Sequence, residues 1–344
     1  MAPVFAQRLV RWQRTHGRSA LPWQNTRDPY RVWLSEVMLQ QTQVSTVLGY
    51  FDRFLARFPD VAALAAAGED EVFGLWSGLG YYSRARNMHR CAQEVVARFG
   101  GAFPRRAEDL VTLPGIGRST AAAIAAFCFG ERVAILDGNV KRVLTRVLGF
   151  DADLSVAANE RMLWSAATEL LPPASQGDAI GRYTQGLMDL GATVCLPRKP
   201  NCLLCPASEI CAARLEGAPE KYPVKTRKLK RSAQSLWLLL ANDSVGRVWL
   251  EKRPLRGIWA GLYCLPVFDC HAALIDALPE RLRALARDDT PFVHVLTHKD
   301  LHLHPVRVDG DPSAAMPGHG QWLGAEAWQT LGLPAPVRKL LSPS

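Results

Sequence analysis

Four cysteines near residue 200 have a spacing that suits a shared metal centre. Cys195, Cys202, Cys205 and Cys211 form the pattern C-x6-C-x2-C-x5-C. Structural zinc sites more often use two C-x2-C pairs, and only Cys202 and Cys205 form such a pair here. Thiolates are also the ligands of iron–sulfur clusters. The spacing predicts a metal site and favours a cluster over zinc, with four unrelated core thiols as the remaining alternative.

Two carboxylates stand in contrasting sequence contexts. Asp137 precedes a helix near Val140, where the helix dipole and N–H donors would hold it ionised, unless it is only an N-cap. Glu36 lies among apolar residues and could be a general acid with a raised pKa, unless it belongs to a solvated helix face. Cleavage of a glycosidic bond uses such a pair, because one acid protonates the leaving group and one anion stabilises a cationic sugar.

A glycine-containing turn precedes a predicted helix. Leu113–Gly117 reads L-P-G-I-G, and the Ala-rich segment Ser119–Phe129 follows it. Two glycines allow a sharp turn and let a phosphate approach backbone N–H groups at a helix start. The alternative is a simple turn between two helices. A basic chain favours binding of a DNA backbone, which would be independent of sequence and sensitive to salt.

Length and charge indicate the number of domains and the class of partner. The chain has 344 residues and a formal net charge of +9. This length fits two domains, and the charge favours nucleic acid, then an acidic membrane surface. Residues 1–215 carry +5, residues 216–235 carry +4 and residues 236–344 are neutral. Without a secretory N-terminus or an apolar run of roughly 20 residues, we expect a soluble, intracellular protein.

The hydrophobic period changes along the chain. Helical spacing predicts one helix that carries Trp33, Val37, Val44 and Leu48, another over Ser119–Phe129 capped by Ser119 or Thr120, and a third from Val140 to a stop at Gly149. Strands are predicted at Ser235–Ala241, Arg247–Glu251 and around Leu301–Val308, with Pro305 at an edge or bulge. The fold class is therefore multidomain, with an all-α domain followed by an α+β domain.

These motifs together resemble a known family. Leu113–Gly117 and Asp137 look like the hairpin and essential aspartate of the helix-hairpin-helix DNA glycosylase superfamily, and the cysteine spacing is that of its 4Fe–4S branch. Trp33–Gln43, Gly78–Asn87 and Leu136–Arg142 are similar to signatures of MutY-type adenine DNA glycosylases. The resemblance implies a glycosylase domain over residues 1–215 with a cluster loop at 195–211, a basic linker over 216–234 and a Nudix-like domain over 235–344.

The resemblance also implies a reaction and its residues. Adenine mispaired with 8-oxoguanine or guanine in duplex DNA would be flipped out of the stack and removed. Glu36 would protonate the purine, Asp137 would stabilise the oxocarbenium-like sugar, and Asn139 would orient the site. The adenine pocket positions are Leu21, Trp23, Gln24, Leu39, Gln185 and Met188. Gln41 and Tyr81 would enter the duplex beside the lesion, and Leu113, Gly115, Gly117 and Ser119 would contact DNA.

Ser119 separates this reaction from that of the nearest rival family. Endonuclease III-like pyrimidine-damage glycosylase/lyases carry a lysine nucleophile at the corresponding position, and a serine hydroxyl cannot form their imine. We therefore predict a monofunctional glycosylase. A DNA-binding iron–sulfur redox sensor without base chemistry is a second alternative, which the presence of Glu36 and Asp137 disfavours.

The C-terminal segment resembles the Nudix-like module that recognises 8-oxoguanine in this family. Residues 279–289 lack the glutamate-rich metal helix of a Nudix hydrolase, so nucleotide hydrolysis is not expected. The family's recognition loop, usually Phe-Ser-His, corresponds to Leu296, Thr297 and His298, and we assign lesion recognition to Thr297 and His298. His294, His298, His302 and His304 are interpreted as surface or base-contacting residues rather than metal ligands. A cytoplasmic monomer that associates with the bacterial nucleoid through DNA is expected.

Overall fold

The computed structural model describes residues 2–173, 178–226, 230–309 and 316–342. It divides into two compact units. The first contains Met1–Gln41, Asp60–Ala65 and Arg90–Lys228, and the second contains Thr42–Pro59, Ala66–His89 and Leu229–Ser344. The second unit therefore includes segments from the N-terminal half, which a division by sequence order does not anticipate. The boundaries at residues 215 and 235 stay a prediction.

Helices fill the described chain up to residue 226. They are α1 (Ala2–His16), α2 (Pro29–Leu39), α3 (Val44–Arg57), α4 (Val61–Ala66), α5 (Glu69–Trp76), α6 (Tyr82–Phe99), α7 (Ala107–Leu110), α8 (Arg118–Phe129), α9 (Gly138–Leu148), α10 (Ala157–Glu169), α11 (Ala179–Thr193) and α12 (Ala212–Leu215). In the first unit, α1, α9 and α11 contribute Phe5, Leu9, Leu144, Tyr183 and Leu187 to one buried core. The all-α class predicted for this part of the chain is confirmed.

A mixed sheet follows, with short helices. The strands are β1 (Ser232–Asn242), β2 (Val248–Lys252), β3 (Tyr263–Cys264), β4 (Val267–Phe268), β5 (Arg287–Asp288), β6 (Phe292–Val295), β7 (Lys299–Asp309) and β8 (Gly320–Leu323). The helices are α13 (His271–Ala277), α14 (Glu280–Arg283), α15 (Ala325–Gln329) and α16 (Ala335–Leu341). The main strand order is β3-β2-β1-β7-β5, with β4 on β1, β6 on β7 and β8 on β2. The predicted α+β class is confirmed.

The central strands are apolar on both faces. β1 and β7 pair in parallel from Ser232 opposite Lys299 to Asn242 opposite Asp309. Leu238 and Leu240 belong to one buried cluster, while Leu239 and Ala241 belong to another. Because successive strand residues point to opposite faces, the continuous apolar run of β1 covers both sides of the sheet.

Three local predictions were wrong. The helix expected to carry both Trp33 and Leu48 is two helices, because α2 ends at Leu39 and Gln41 has the left-handed φ of 58°. Helix α8 begins at Arg118 with Gly117 as its N-cap and no side-chain cap, so neither Ser119 nor Thr120 caps it. Pro305 lies inside a central strand rather than at an edge or bulge.

The position of Pro305 explains how a proline is tolerated there. β6 pairs with β7 at residues 300–303, and β5 pairs with it at residues 306–307. Pro305 lies where β7 changes its antiparallel partner, so a ladder with either strand does not need its missing N–H. Its carbonyl oxygen still accepts from the Asp289 N–H at 2.9 Å.

Candidate active site

Asp137 lies at the N-terminus of α9. Its backbone is extended, and its side chain accepts a hydrogen bond from the Val140 N–H at 2.7 Å. The apolar face of α9, including Val140, Val143 and Leu144, is fully buried, and Gly149 ends the helix in the left-handed conformation. The predicted helix and its stop are confirmed. Burial of α9 thus fixes the place of an aspartate at its positive end.

Glu36 lies on α2, which is anchored by a buried face. Trp33, Leu34 and Val37 around it are buried. Loss of water, and to a lesser extent the nearby charge of Asp137, raises the pKa of Glu36 to about 8. The solvated-face alternative is therefore wrong for this carboxyl group, although the residue keeps some exposed surface. At neutral pH Glu36 holds a proton that it can donate.

The pKa of Asp137 is raised too, which differs from the sequence-based expectation. Burial has the largest effect and outweighs the hydrogen bonds from the Val140 and Asn139 N–H groups and the charges of Arg142 and Lys141. The expected donors and cations are present, but they only limit the shift. These donors and cations lower the pKa of Asp137, whereas no neighbouring group lowers the pKa of Glu36. The N–H donors and cations at Asp137 therefore favour Glu36 as the proton carrier of the pair.

The glycine turn connects α7 with α8 in a helix-hairpin-helix arrangement. Leu113 is buried and anchors the turn, whereas Gly115 and Gly117 are exposed. Gly115 has a φ of 75°, a left-handed conformation that L side chains rarely adopt. The Oγ of Ser119 accepts from the Leu136 N–H at 3.1 Å, which ties the start of α8 to the residue before Asp137. The same turn can therefore present backbone N–H groups and support the carboxylate.

Arg142 links the catalytic candidates with the cysteine segment, a role that sequence reasoning missed. Its guanidinium donates to the Oδ1 of Asn139 at 2.8 Å, the carbonyl oxygen of Gly191 at 2.7 Å and the carbonyl oxygen of Cys195 at 2.8 Å. One side chain thus joins the start of α9, the end of α11 and the first cysteine. The only sequence signal was the i, i+3 spacing of Asn139 and Arg142 on a helix.

The predicted pocket residues are tied together by a second residue that sequence reasoning missed. The carboxylate of Asp189 is fully buried and accepts from the N–H and Nε of Arg18 at 3.0 and 2.8 Å. It also accepts from Nε2 of Gln185 at 3.0 Å. Asp189 therefore holds the segment that leads to the turn Leu21–Gln24 against α11. A buried aspartate one turn after Gln185 was the available signal.

The remaining pocket residues lie on the same unit. Trp23 is buried, while Leu39 at the end of α2 is partly exposed, and Met188 packs against the core. Within the described part of the chain, the buried Nε2 of Gln24 has no hydrogen-bond partner. An unpaired buried donor costs about 1–3 kcal/mol, so this atom suits a ligand that offers an acceptor.

Four cysteines line one cavity, as their spacing predicts. Cys195, Cys202, Cys205 and Cys211 all line the same pocket, together with Arg146 and Leu190. The fully buried Arg146 donates to the Cys195 Sγ at 3.3 Å, and its carbonyl oxygen accepts from the Cys211 thiol at 3.3 Å. In residues 2–173, 178–226, 230–309 and 316–342, no three His, Cys, Asp or Glu side chains could hold one metal ion. Four thiols at one pocket are the ligand type and number that a zinc ion or an iron–sulfur cluster uses.

The two candidate wedge residues share an unusual backbone conformation. Gln41 has a φ of 58° and Tyr81 a φ of 49°, both in the left-handed region. Both are exposed, Tyr81 by 47%. Such strain persists only where the surrounding structure holds it, and it concentrates at functional sites.

The predicted recognition residues lie at a hairpin tip of the second unit. Thr297 and His298 are exposed between β6 and β7, and the Tyr81 hydroxyl lies 2.5 Å from the Thr297 Oγ1. Of the nearby histidines, His304 stacks on Trp237 with ring centroids 4.5 Å apart. The interpretation of His294, His298, His302 and His304 as surface or base-contacting residues stays a prediction.

Comparison with known families agrees with the fold and the site. Residues 34–169 match the model of the HhH-GPD superfamily of base excision DNA repair proteins, and residues 236–343 match the NUDIX domain. A thermostable thymine-DNA glycosylase superposes with a TM-score of 0.54 at 28% identity, covering 62% of this chain and 96% of that one. Fold and site thus define a base excision repair DNA glycosylase that carries a Nudix-like domain.

Full-length relatives identify the family. The adenine DNA glycosylase of Buchnera aphidicola from Acyrthosiphon pisum is 36% identical over 98% of this chain and 97% of its own length. The human adenine DNA glycosylase is 33% identical over 98% of this chain and 73% of its own length. The chain belongs to the adenine DNA glycosylase family. Its helices, as far as the structure describes them, include none that is long and apolar enough to cross a membrane.

Gly191 offers a test of how closely α9 must be held. A Cβ on Gly191 would lie 2.7 Å from the Asn139 Cβ and 3.2 Å from its carbonyl oxygen. Because the backbone of α9 must then shift, we expect Gly191→Ala to lower the single-turnover rate of adenine excision by about ten- to a hundredfold.

Gly181→Ala on the same helix is the matched control. Its Cβ would meet nothing nearer than 3.7 Å, so excision should be unchanged and the melting temperature equal or slightly higher. Equal excision rates for the Gly191 variant and the wild type would show that the position of Asn139 is not critical.

Proposed function

We propose that this chain excises adenine opposite 8-oxoguanine or guanine in duplex DNA as a monofunctional glycosylase. The observation that carries the proposal is the pair of Glu36 and Asp137 in one desolvated site, with Glu36 protonated at neutral pH. The adenine DNA glycosylases of Buchnera and human, which match almost the whole chain, support the choice of base.

The reaction requires a proton for the base and a counter-charge for the sugar. Glu36 donates its proton to the imidazole half of the flipped adenine, and the C1′–N9 electron pair leaves with the base. The carboxylate of Asp137 stabilises the cationic sugar by charge or by a transient ester. Water then adds at C1′, and its proton returns to the Glu36 carboxylate. Asn139, held by Arg142, keeps the start of α9 in place.

The substrate must be flipped and held before this step. The adenine is received by Leu21, Trp23, Gln24, Leu39, Gln185 and Met188. Gln24 supplies its unpaired Nε2 donor, and Trp23 supplies apolar surface. Gln41 and Tyr81 enter the duplex, where stacking offsets part of the unstacking cost, about 1–3 kcal/mol per base. The exposed turn at Gly115 and Gly117 binds a backbone phosphate through N–H groups, with Leu113 and Ser119 holding it.

Cys195, Cys202, Cys205 and Cys211 hold one 4Fe–4S cluster in this proposal. The pocket that all four cysteines line and their C-x6-C-x2-C-x5-C spacing support it. When bound, the cluster would supply a rigid cross-link between the four cysteines. The excision step itself involves no electron transfer. Arg142 then joins the cluster loop to Asn139, so the loop positions the catalytic end of α9.

Lesion recognition is assigned to the hairpin tip, with the protein acting as a cytoplasmic monomer. 8-Oxoguanine differs from guanine by a carbonyl at C8 and an N–H at N7. The exposed Thr297 hydroxyl can both donate and accept, and His298 adds a second polar group. Leu296 replaces the aromatic residue that is usual in this loop. A redox sensor without base chemistry does not account for the acidic pair, and Ser119 does not suit a lyase.

Glu36→Gln removes the transferable proton with little change in shape. We expect excision from an A·8-oxoG duplex to fall by about 10²- to 10⁴-fold, measured as alkali-labile strand breaks in single turnover. Glu169→Gln makes the same change at an exposed site and should not alter the rate. A Glu36 variant with the wild-type rate would contradict the assignment.

The pH profile of excision provides a second test of the pair. The rate should fall as the pH rises through about 8, because Glu36 loses its proton. The rate should also fall in acid as Asp137 becomes protonated. Because the pKa of Asp137 is raised, this acid limb should lie at a higher pH than for an ordinary aspartate. The alkaline limb should vanish in Glu36→Gln, and an unchanged limb would assign it to another group.

The metal content can be tested without reference to activity. Purified protein should show a broad visible absorption band and about four irons per chain, as a 4Fe–4S centre requires. Cys202→Ser should lower both, whereas Cys270→Ser, an exposed cysteine of the second unit, should change neither. One zinc per chain with no visible absorption would rule out the cluster.

A further inference from the structure

Backbone hydrogen bonds and packing against the sheet fix the hairpin tip between β6 and β7. This tip, Leu296–His298, joins β6 to β7, and the Leu296 N–H donates to the carbonyl oxygen of Lys299 at 2.8 Å. The Leu296 side chain packs against the buried cluster of the sheet, while Thr297 and His298 point their exposed surface outward. The conformation of two exposed side chains therefore depends on how the backbone of three residues is fixed.

Arg231, just before β1, supplies most of that fixation. Its guanidinium donates to the carbonyl oxygens of Leu296 at 3.0 Å and Thr297 at 3.3 Å, and it forms an ion pair with Asp300. The next residue completes the set, because the Ser232 N–H donates to the carbonyl oxygen of His298 at 3.1 Å. The carbonyl oxygens of Leu296, Thr297 and His298 thus all accept hydrogen bonds from Arg231 or Ser232, at the start of β1. Arginine suits this task because its fork of donors can bind several acceptors at fixed angles.

The Thr297 side chain is oriented by a separate contact. Its Oγ1 lies 2.5 Å from the Tyr81 hydroxyl, within the same unit. Arg231 fixes the Thr297 backbone from one side, and Tyr81 fixes the hydroxyl from the other. Together these contacts reduce the freedom that an exposed threonine would lose on binding a base.

We propose that Arg231 is a positioning residue for lesion recognition. It holds Leu296–His298 in one conformation, so that the Thr297 hydroxyl meets the N7 and C8 edge that distinguishes 8-oxoguanine from guanine. The inference rests on the proposed function, because it assumes that this tip recognises the base opposite the adenine. Arg231 contributes through Thr297 and not through contact with the base.

The other role open to a cation in a basic segment is phosphate binding. Loss of a phosphate contact would weaken binding to every duplex alike and lessen the salt dependence of binding. Loss of a positioning residue would lower only the ratio of excision rates for A·8-oxoG and A·G. The ion pair with Asp300 and the bonds to two carbonyl oxygens favour positioning, since they engage both terminal nitrogens of the guanidinium within the protein.

The test compares single-turnover excision from two duplexes that differ only in 8-oxoguanine or guanine opposite the adenine. The wild-type chain should prefer A·8-oxoG. Arg231→Ala should reduce that preference by about tenfold, with A·G excision, melting temperature and salt dependence unchanged. Arg231→Lys keeps the charge but not the fork, so it should recover only part of the preference.

Two further variants separate positioning from general effects. Lys230→Ala removes the same charge from the adjacent exposed residue and should leave the preference for A·8-oxoG unchanged. Adding Arg231→Ala to Thr297→Val, which removes the hydroxyl, should cause little further loss of preference, because both changes act on one interaction. Independent, multiplied losses would contradict action through Thr297.

The outcomes distinguish the positioning role of Arg231 from the proposed recognition of 8-oxoguanine at Leu296–His298. Full preference in Arg231→Ala, or equal losses on both duplexes with a weaker salt dependence, overturns the positioning role alone. A wild-type protein with no preference for A·8-oxoG overturns lesion recognition at this tip, and the inference falls with it. Loss of preference in Arg231→Ala with retained A·G excision supports both.

Discussion

Removal of water from two neighbouring carboxyl groups is the constraint on which the active site depends. Burial raises the pKa of Glu36 and of Asp137, but N–H donors and cations oppose the shift only at Asp137. The proton therefore resides preferentially on Glu36, where the leaving base needs it. Greater exposure would lower the pKa of both groups, and loss of the N–H donors at the start of α9 would raise the pKa of Asp137. The geometry of α2 and α9 thus sets the chemistry before substrate binds.

Such a site needs a rigid support, and buried polar side chains supply it. Arg142 joins Asn139, α11 and the cysteine loop, while Asp189 joins Arg18 and Gln185. Each satisfies several partners at once, which lowers the cost of burying its charge. Gly191 permits the close approach of α11 to α9 that the Arg142 contacts require. Support for the carboxylates and support for the pocket therefore meet on α11, which carries both Gly191 and Asp189.

Local periodicity predicted the parts of the fold that depend on neighbours in sequence. The helix over α9 with its stop at Gly149 and the strand β1 were predicted because their apolar spacing is regular. The break at Gln41 could not be predicted, since the helical spacing of Val37 and Val44 continues across it. Family motifs located the carboxylates and cysteines, whereas Arg142, Asp189 and Arg231 were missed. Their partners lie between 3 and 171 residues away, and only folding identifies them.

The 41 Lys and Arg residues overstate the number of cations that can bind DNA. Arg146 is fully buried against carbonyl oxygens and a cysteine, Arg18 pairs with Asp189, Lys141 pairs with Glu160, and Arg231 pairs with Asp300. A cation held in this way has already given its donors to the protein, so its transfer to a phosphate would break internal bonds. The salt dependence of binding should follow the exposed, unpaired cations and not the total. The same basic segment that suggested phosphate binding therefore contains at least one arginine whose bonds serve the protein's own loop.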